Sequence, residues 1–186
     1  MDFPLSRDRA ARLIALAAVA TTNDELVSLA VAEELPEFTV VVTLNQTAGK
    51  GRLGRTWDAP PGTSLAASVL LHPQHHHLPK DRYGWIPLAS GFAMSSALSR
   101  FVPKHSVSLK WPNDVLIDGR KVSGVLSELL PDAASVVVGA GVNLTIPAES
   151  LPVPTATSLL LHGAVLPAEE LADLVLAGYL DDLRHI

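Results

Sequence analysis

The 186-residue chain contains no cysteine. That single absence excludes disulfides, thiol nucleophiles and thiolate metal sites together, so the fold must be held by packing. Aromatic residues are scarce at 5% and charged residues make up 18%, whereas 48% of the chain is apolar. This balance excludes a disordered chain and predicts a globular domain. No apolar run approaches the roughly 18 residues a membrane helix needs. The nearest imitation is Leu13 to Ala20, preceded by Arg7, Arg9 and Arg12, which has the outline of a secretory leader. It is short, and Asp2 and Asp8 dilute the basic region, so a cytoplasmic protein is expected. A net charge of -5 gives no overall basic field, so neither nucleic acid nor a membrane surface is expected as a partner. One domain over 1–186 is long enough to bury a sizeable core.

One further absence is local. From Phe38 through Trp57 there is no Asp or Glu, although the molecule as a whole is acidic. Within that window Gly49-Lys50-Gly51-Arg52-Leu53-Gly54-Arg55 packs three glycines and three cations into seven residues. Glycines let backbone N–H groups approach a ligand, and Lys50, Arg52 and Arg55 carry donors without acceptors. The stretch Gln46 to Trp57 is therefore read as a cradle for an anion. Its Gly49-x-Gly51-x-x-Gly54 spacing also satisfies a dinucleotide fingerprint, but Pro60-Pro61-Gly62 and a strand pattern follow where that fingerprint needs a helix and an acid.

Hydrophobic patterning places the other elements. Residues 12–19 read as a strand or the start of a helix. Thr21-Thr22-Asn23 offers N-caps, with Thr22 and Glu25 in capping-box spacing, for a helix running to about Leu35 before Pro36. Strands are predicted at 39–44, 64–71, 107–110, 115–117, 121–129 and 135–142, with Asp118-Gly119 as a tight hairpin turn. Helices are predicted at 85–102, with Trp85 and Phe92 in the core, and at 167–184. Short links between strands favour antiparallel pairing, hence an α/β (α+β) fold with a mixed, largely antiparallel sheet packed against helices. The last helix is apolar nearly all round, through Leu171, Leu174, Val175, Leu176, Tyr179, Leu180 and Leu183. It is expected to pack against something beyond the sheet, a downstream segment or a second copy in a homodimer. The run His72-Pro73-Gln74-His75-His76-His77 is the obvious metal candidate. Adjacent side chains diverge and no spaced partner accompanies them, so it reads as a solvated loop.

A second constellation is Lys110-Trp111-Pro112-Asn113-Asp114, followed across a hairpin by Gly119-Arg120-Lys121-Val122-Ser123-Gly124 and Glu128. A lysine at a strand end can neutralise phosphate or carboxylate, and an Asp can hold Mg²⁺ or orient that lysine. By composition alone a surface ion-paired hairpin is the plainer account.

The order of these motifs, together with Gly139-Ala140-Gly141-Val142-Asn143 and Ala156-Thr157-Ser158-Leu159, closely resembles the catalytic domain of biotin protein ligases over about residues 12–160. The resemblance implies the class II synthetase-like biotin and lipoate ligase fold. It implies biotin and ATP as substrates with Mg²⁺, activation of biotin to biotinyl-5′-adenylate, and transfer to one lysine of a biotin carboxyl carrier protein. Carried over by position, Thr21, Thr22, Asn23, Gln46, Lys50, Gly51, Arg52 and Lys121 would face biotin. Gly49, Lys50, Arg52, Arg55, Trp57, Asn113, Lys121 and Asn143 would face the nucleotide. Arg52, Lys121, Lys110 and Asp114 would carry the chemistry, with Asp114 towards Mg²⁺.

Two positions depart from the family pattern: Lys50 stands where Arg is usual, which loses the planar fork, and Thr21 stands where Ser is common. Neither a preceding helix-turn-helix domain nor the small β-barrel that commonly follows is expected from this sequence. A lipoate or octanoate transferase of the same fold, and a noncatalytic ligand-binding module, remain open readings at this point.

Overall fold

The computed structural model describes residues 2–185. A four-residue turn of helix, α1 (Pro4–Arg7), leads into strand β1 (Arg12–Ala15). The leader-like run thus begins as a strand of the sheet, and its end bridges onward through Val19 to Gln46. Helix α2 (Thr22–Ala32) follows. It stops before the predicted Leu35 because Glu33 is already extended, at φ -145°, and consecutive acids suit a helix C-terminus poorly. The expected capping box does not form: Thr21 is the N-cap and its side chain makes no capping bond. Strands β2 (Thr39–Thr43), β3 (Gly49–Lys50), β4 (Thr56–Trp57) and β5 (Ser64–Leu71) come next, then α3 (Ile86–Ser99). Strands β6 (Val107–Lys110), β7 (Asp114–Ile117), β8 (Arg120–Leu129) and β9 (Val136–Asn143) precede the closing helix α4 (Ala168–Leu183). Asp118 and Gly119 both have positive φ, 48° and 79°, as an Asp-Gly two-residue hairpin requires.

Seven strands form one sheet in the order β1-β2-β5-β9-β8-β7-β6. Only β1 and β2 run parallel; the remaining pairs are antiparallel, so the sheet is mixed and largely antiparallel as expected. Because side chains alternate, each central strand serves two faces. Val40 and Val42, Leu65, Ala67 and Val69, and Val136, Val138, Ala140 and Val142 join the large core with α3 and α4. Val41, Leu70 and Val137 turn the other way and meet Leu26 of α2.

One expectation about helices is corrected, and a second, that the last helix packs against more than the sheet, is met from a different source. Trp85 and Phe92 are 63% and 59% exposed, so they are not core residues; Ala93, Met94, Ala97 and Leu98 bury the face of α3 instead. Helix α4 finds its partners within the chain. Leu171, Val175, Leu176, Tyr179, Leu180 and Leu183 are buried against α3, β5 and the N-terminal turn α1. No external surface is needed to explain its apolar circumference. The histidine run forms a short 3-10 turn in which His75, His76 and His77 are exposed. His72 departs from the solvated reading: its ring nitrogens lie 3.0 Å from Ser135 Oγ and 3.2 Å from the Leu35 carbonyl.

Candidate active site

The site arises from which residues fall on the α2 face of the central strands. In the register of β5, β9 and β8, Ala66 lies opposite Gly141 and Gly141 opposite Gly124, while Ser68 lies opposite Gly139. Every second position is therefore small where α2 no longer covers the sheet, and a trough results. One strand further out, Asp114 of β7 lies opposite Gly124 and closes the same rung. The trough is the floor of a cavity of about 380 Å³, within the ordinary range for small-molecule sites. Trp57 lies in it: a Cβ at Gly141 would meet the indole at 2.6 Å, and one at Gly124 would meet it at 3.5 Å. The Trp57 Nε1 donor is buried and has no hydrogen-bond partner among the described residues.

The inner end is lined by uncharged polar side chains. The Thr22 N–H, free at the start of α2, donates to Gln46 Oε1 at 2.9 Å, so Gln46 supplies the cap that Thr21 does not. Ser68 Oγ lies 2.7 Å from Thr22 Oγ1 and 2.6 Å from Asn23 Oδ1. Asn23 Nδ2 then donates to Glu128 Oε1 at 2.7 Å and to the Leu126 carbonyl at 3.3 Å. A chain of buried polar groups with partners of this kind is rigid, since breaking any link leaves a desolvated group unpaired. Gly139 makes it possible: a Cβ there would lie 2.1 Å from Asn23 Oδ1.

The outer end is cationic. The Gln46 to Trp57 stretch is a small β3–β4 hairpin closed by the Gly51 N–H donating to the Arg55 carbonyl at 2.7 Å. No helix follows, which removes the dinucleotide-fold reading. Lys50, Arg52 and Arg55 from this hairpin and Lys110 and Lys121 from β6 and β8 line the cavity. Asp114 is the one carboxylate among the described lining residues. Lys121 Nζ lies 2.6 Å from Asp114 Oδ1, with both side chains half-buried, and 5.7 Å from the Trp57 ring centroid. Arg52 Nη1 reaches Asn113 Oδ1 at 3.4 Å, a long contact that ties the two constellations together. Lys50 Nζ sits 2.7 Å from both Asp24 oxygens, and that hydrogen bond raises its pKa above the usual lysine value.

The structure thus gathers Thr21, Thr22, Asn23, Gln46, Lys50, Gly51, Arg52, Arg55, Trp57, Lys110, Asn113, Asp114 and Lys121 around one cavity. Gly49 and Asn143 lie outside its lining. Gly49 is hydrogen-only because a Cβ would meet the Trp57 carbonyl at 2.3 Å. Asn143 is buried at the end of β9, where its amide donates to the Thr157 carbonyl at 2.8 Å. Two participants escaped the sequence reading. Ser68 is a polar residue inside an apolar strand, which was the available signal, and Asp24 partners Lys50 from the first turn of α2.

An α/β domain whose mixed sheet carries a glycine-floored cleft, lined by uncharged polar groups within and cationic at its mouth, has the chemistry to take an anionic ligand that also presents uncharged hydrogen-bonding groups. Residues 16–143 match the biotin/lipoate A/B protein ligase family, and the chain belongs to it. A biotin--[acetyl-CoA-carboxylase] ligase of Mycobacterium tuberculosis is 35% identical over 158 residues, 84% of this chain and 58% of that protein. One from Paracoccus denitrificans is 37% identical over 133 residues, 69% of this chain and 53% of that protein. The chain therefore spans just over half the length of these relatives. Among solved structures, a biotin protein ligase from Aquifex aeolicus in complex with biotin and ATP superposes with a TM-score of 0.74 at 34% identity. That match covers 94% of this chain and 71% of the other.

Proposed function

We propose that this chain is the catalytic part of a biotin protein ligase acting in the cytoplasm: it activates biotin with ATP and passes the biotinyl group to one lysine of a biotin carboxyl carrier protein. In the first step a biotin carboxylate oxygen bonds to the α-phosphorus of ATP and the bond to pyrophosphate breaks. In the second a carrier lysine amine attacks the acyl carbon of the adenylate, AMP departs and the amine loses a proton. The observation that carries the reading is the meeting of Arg52 and Lys121, from distant parts of the sequence, at the mouth of a cleft whose inner end is lined by uncharged polar side chains.

Two like unit charges about 4 Å apart repel by about 4 kcal/mol at the effective dielectric of a partly solvated site. Carboxylate and α-phosphate face that repulsion as they approach, and Arg52 and Lys121 offset it where charge accumulates. Asp114 holds the Lys121 ammonium in place before any ligand arrives. The cyclic urea of biotin, with two N–H donors and one carbonyl, suits the inner end formed by Thr22 and Gln46. Ala66, Val125 and Leu126 offer an apolar wall for its alkyl chain. Trp57 supplies an aromatic face at the nucleotide end. Mg²⁺ is taken to arrive with ATP as part of the substrate. A single lining carboxylate, already paired with Lys121, fits an ion held mainly by phosphate oxygens and water.

Incubation with biotin, MgATP and a carrier domain should add one biotinyl group to the carrier by mass and release pyrophosphate in a biotin-dependent way. Neither product appearing would refute the reading. Lys121→Ala should lower adenylate formation about 10²–10³-fold, the usual cost of losing one donor to developing charge. Biotin, and not lipoate, should raise the melting temperature; the reverse order would assign the site to lipoyl or octanoyl transfer instead.

A further inference from the structure

At the turn of the β7–β8 hairpin, outside the lining of the cleft, three chain segments bring metal-ligating atoms together. His105 precedes β6, Asp118 occupies the β7–β8 turn, and His162 ends the 3-10 turn Leu160–His162 that follows β9. His105 Nδ1 lies 2.6 Å from Asp118 Oδ2. His162 Nδ1 lies 3.3 Å from His105 Nδ1 and 3.8 Å from Asp118 Oδ2. Among the described residues this is the one group of three such side chains that converges.

We propose that His105, Asp118 and His162 form a binding site for one divalent transition-metal ion of the zinc type, with the fourth coordination position open to solvent. Nothing in the biotin-activating reading assigns these residues. In a tetrahedral zinc site, with bonds of about 2.0–2.1 Å, two donor atoms stand about 3.3 Å apart. The three observed separations bracket that value, and an ion would need to spread the His105–Asp118 contact and draw His162 towards Asp118, each by a fraction of an ångström.

The outer partners that orient metal ligands are present as well. His162 Nε2 lies 2.9 Å from Thr157 Oγ1, so a proton on Nε2 donated to that hydroxyl leaves the Nδ1 lone pair facing the cluster. Asp118 Oδ1 accepts the Ser106 N–H at 2.9 Å, which leaves Oδ2 turned to the histidines. Two imidazoles and a carboxylate suit zinc, cobalt or nickel better than magnesium or calcium, which take oxygen donors.

Such an ion would fasten the β6–β7–β8 edge to the segment after β9. The Thr157 N–H donates to the Lys121 carbonyl at 2.8 Å, and the Lys121 N–H donates to Thr155 at the same distance. The clamp would therefore stiffen the strand from which Lys121 extends.

The test uses the full chain with the exposed histidines His75, His76 and His77 changed to Gln, so that they cannot bind metal. Titration with Co²⁺ should give visible absorption saturating at one equivalent, abolished by one equivalent of Zn²⁺. Zn²⁺ at about 100 times its Kd should raise the melting temperature by about 5–10 °C, reversed by chelator. His105→Gln and Asp118→Asn should each weaken binding at least about tenfold. Asp118 is exposed and His105 only partly buried, and Asn keeps both the left-handed turn at 118 and an acceptor for the Ser106 N–H, so neither change opens the core. Absence of a saturable equivalent, or an affinity unchanged in both variants, would overturn the site. None of these readings depends on biotinylation, so failure of the site and failure of the enzymatic reading are separable.

Discussion

At Gly139 the decisive feature is a missing carbon atom. The Asn23 amide carries three hydrogen bonds, from Ser68 and to Glu128 and Leu126, and a Cβ at 139 would occupy the position of its oxygen at 2.1 Å. Gly139→Ala should cost about 1–3 kcal/mol, the usual range for overpacking a well-filled site. Because Asn23 and Thr22 share Ser68, the variant should also lose affinity for biotin. Urea unfolding and ligand-induced thermal shifts would report the two effects. A stable variant with undiminished biotin response would show that Asn23 can move without consequence.

Gln46 illustrates what single residues reveal in sequence and what they hide. Its place beside the glycine and cation stretch made it a candidate, yet its hydrogen bond to the Thr22 N–H depends on a fold that brings residues 22 and 46 together. Capping by the next residues in sequence was the local expectation. Capping from a neighbouring loop was not legible there, because the distance along the chain carries no pattern. Gln46→Ala should destabilise by about 1 kcal/mol, as loss of an N-terminal cap does.

Among the elements, the helices taught more than the strands. Strand limits follow alternation and turn chemistry, and 64–71 and 107–110 stand as expected. Helix α4 was legible as apolar all round but not as satisfied within the chain, because a helical projection shows how much surface needs cover and never who covers it. Much of that cover is α3, and the buried link between them is Ser90 Oγ at 2.6 Å from the Tyr179 hydroxyl.

Complete burial pushes the Tyr179 phenol up to about 12, only partly opposed by Ser90. The folded state then holds this proton where the unfolded chain, titrating near 10, releases it. Its contribution is fully present below pH about 10 and is lost as pH rises towards 12, a total of about 2–3 kcal/mol. Tyr179→Phe should flatten that part of the alkaline stability profile. At neutral pH the same change should cost about 1 kcal/mol through the orphaned Ser90 hydroxyl, recovered in large part by adding Ser90→Ala. Identical alkaline slopes in the two proteins would contradict the assignment.

On the scale of the whole molecule, an acidic chain brings five of its fourteen lysines and arginines to one mouth. The grouping was legible because each cluster is short and the order of motifs resembles one family. The trough beneath was not, since it depends on Ala66, Gly141, Gly124 and Asp114 falling on one rung across four strands. Register is a pairwise property and has no trace in any one segment.

The two ends of the chain are joined in the same long-range manner. Asp173 of α4, 5% exposed, accepts the Ser6 N–H at 2.8 Å, the Ser6 hydroxyl at 2.6 Å and the Leu5 N–H at 3.0 Å. This contact seats the first turn, and with it buried Phe3, on a helix that begins only at Ala168. Asp173→Ala leaves the Leu5 and Ser6 N–H groups without an acceptor, although the Ser6 hydroxyl keeps the residue-173 carbonyl at 3.1 Å, and should cost about 2–4 kcal/mol. The urea midpoint should fall with little change in slope if the domain still unfolds as one unit. Protease sites before β1 should open first, because α1 has few other attachments. Asp173→Asn retains an acceptor oxygen and should lose less. If Asp173→Ala left both the midpoint and the N-terminal cleavage rate unchanged, the first turn would be held by Phe3 packing and by the Arg9–Asp181 ion pair at 2.7 Å, and the ends of the chain would be joined by those contacts instead of by this carboxylate.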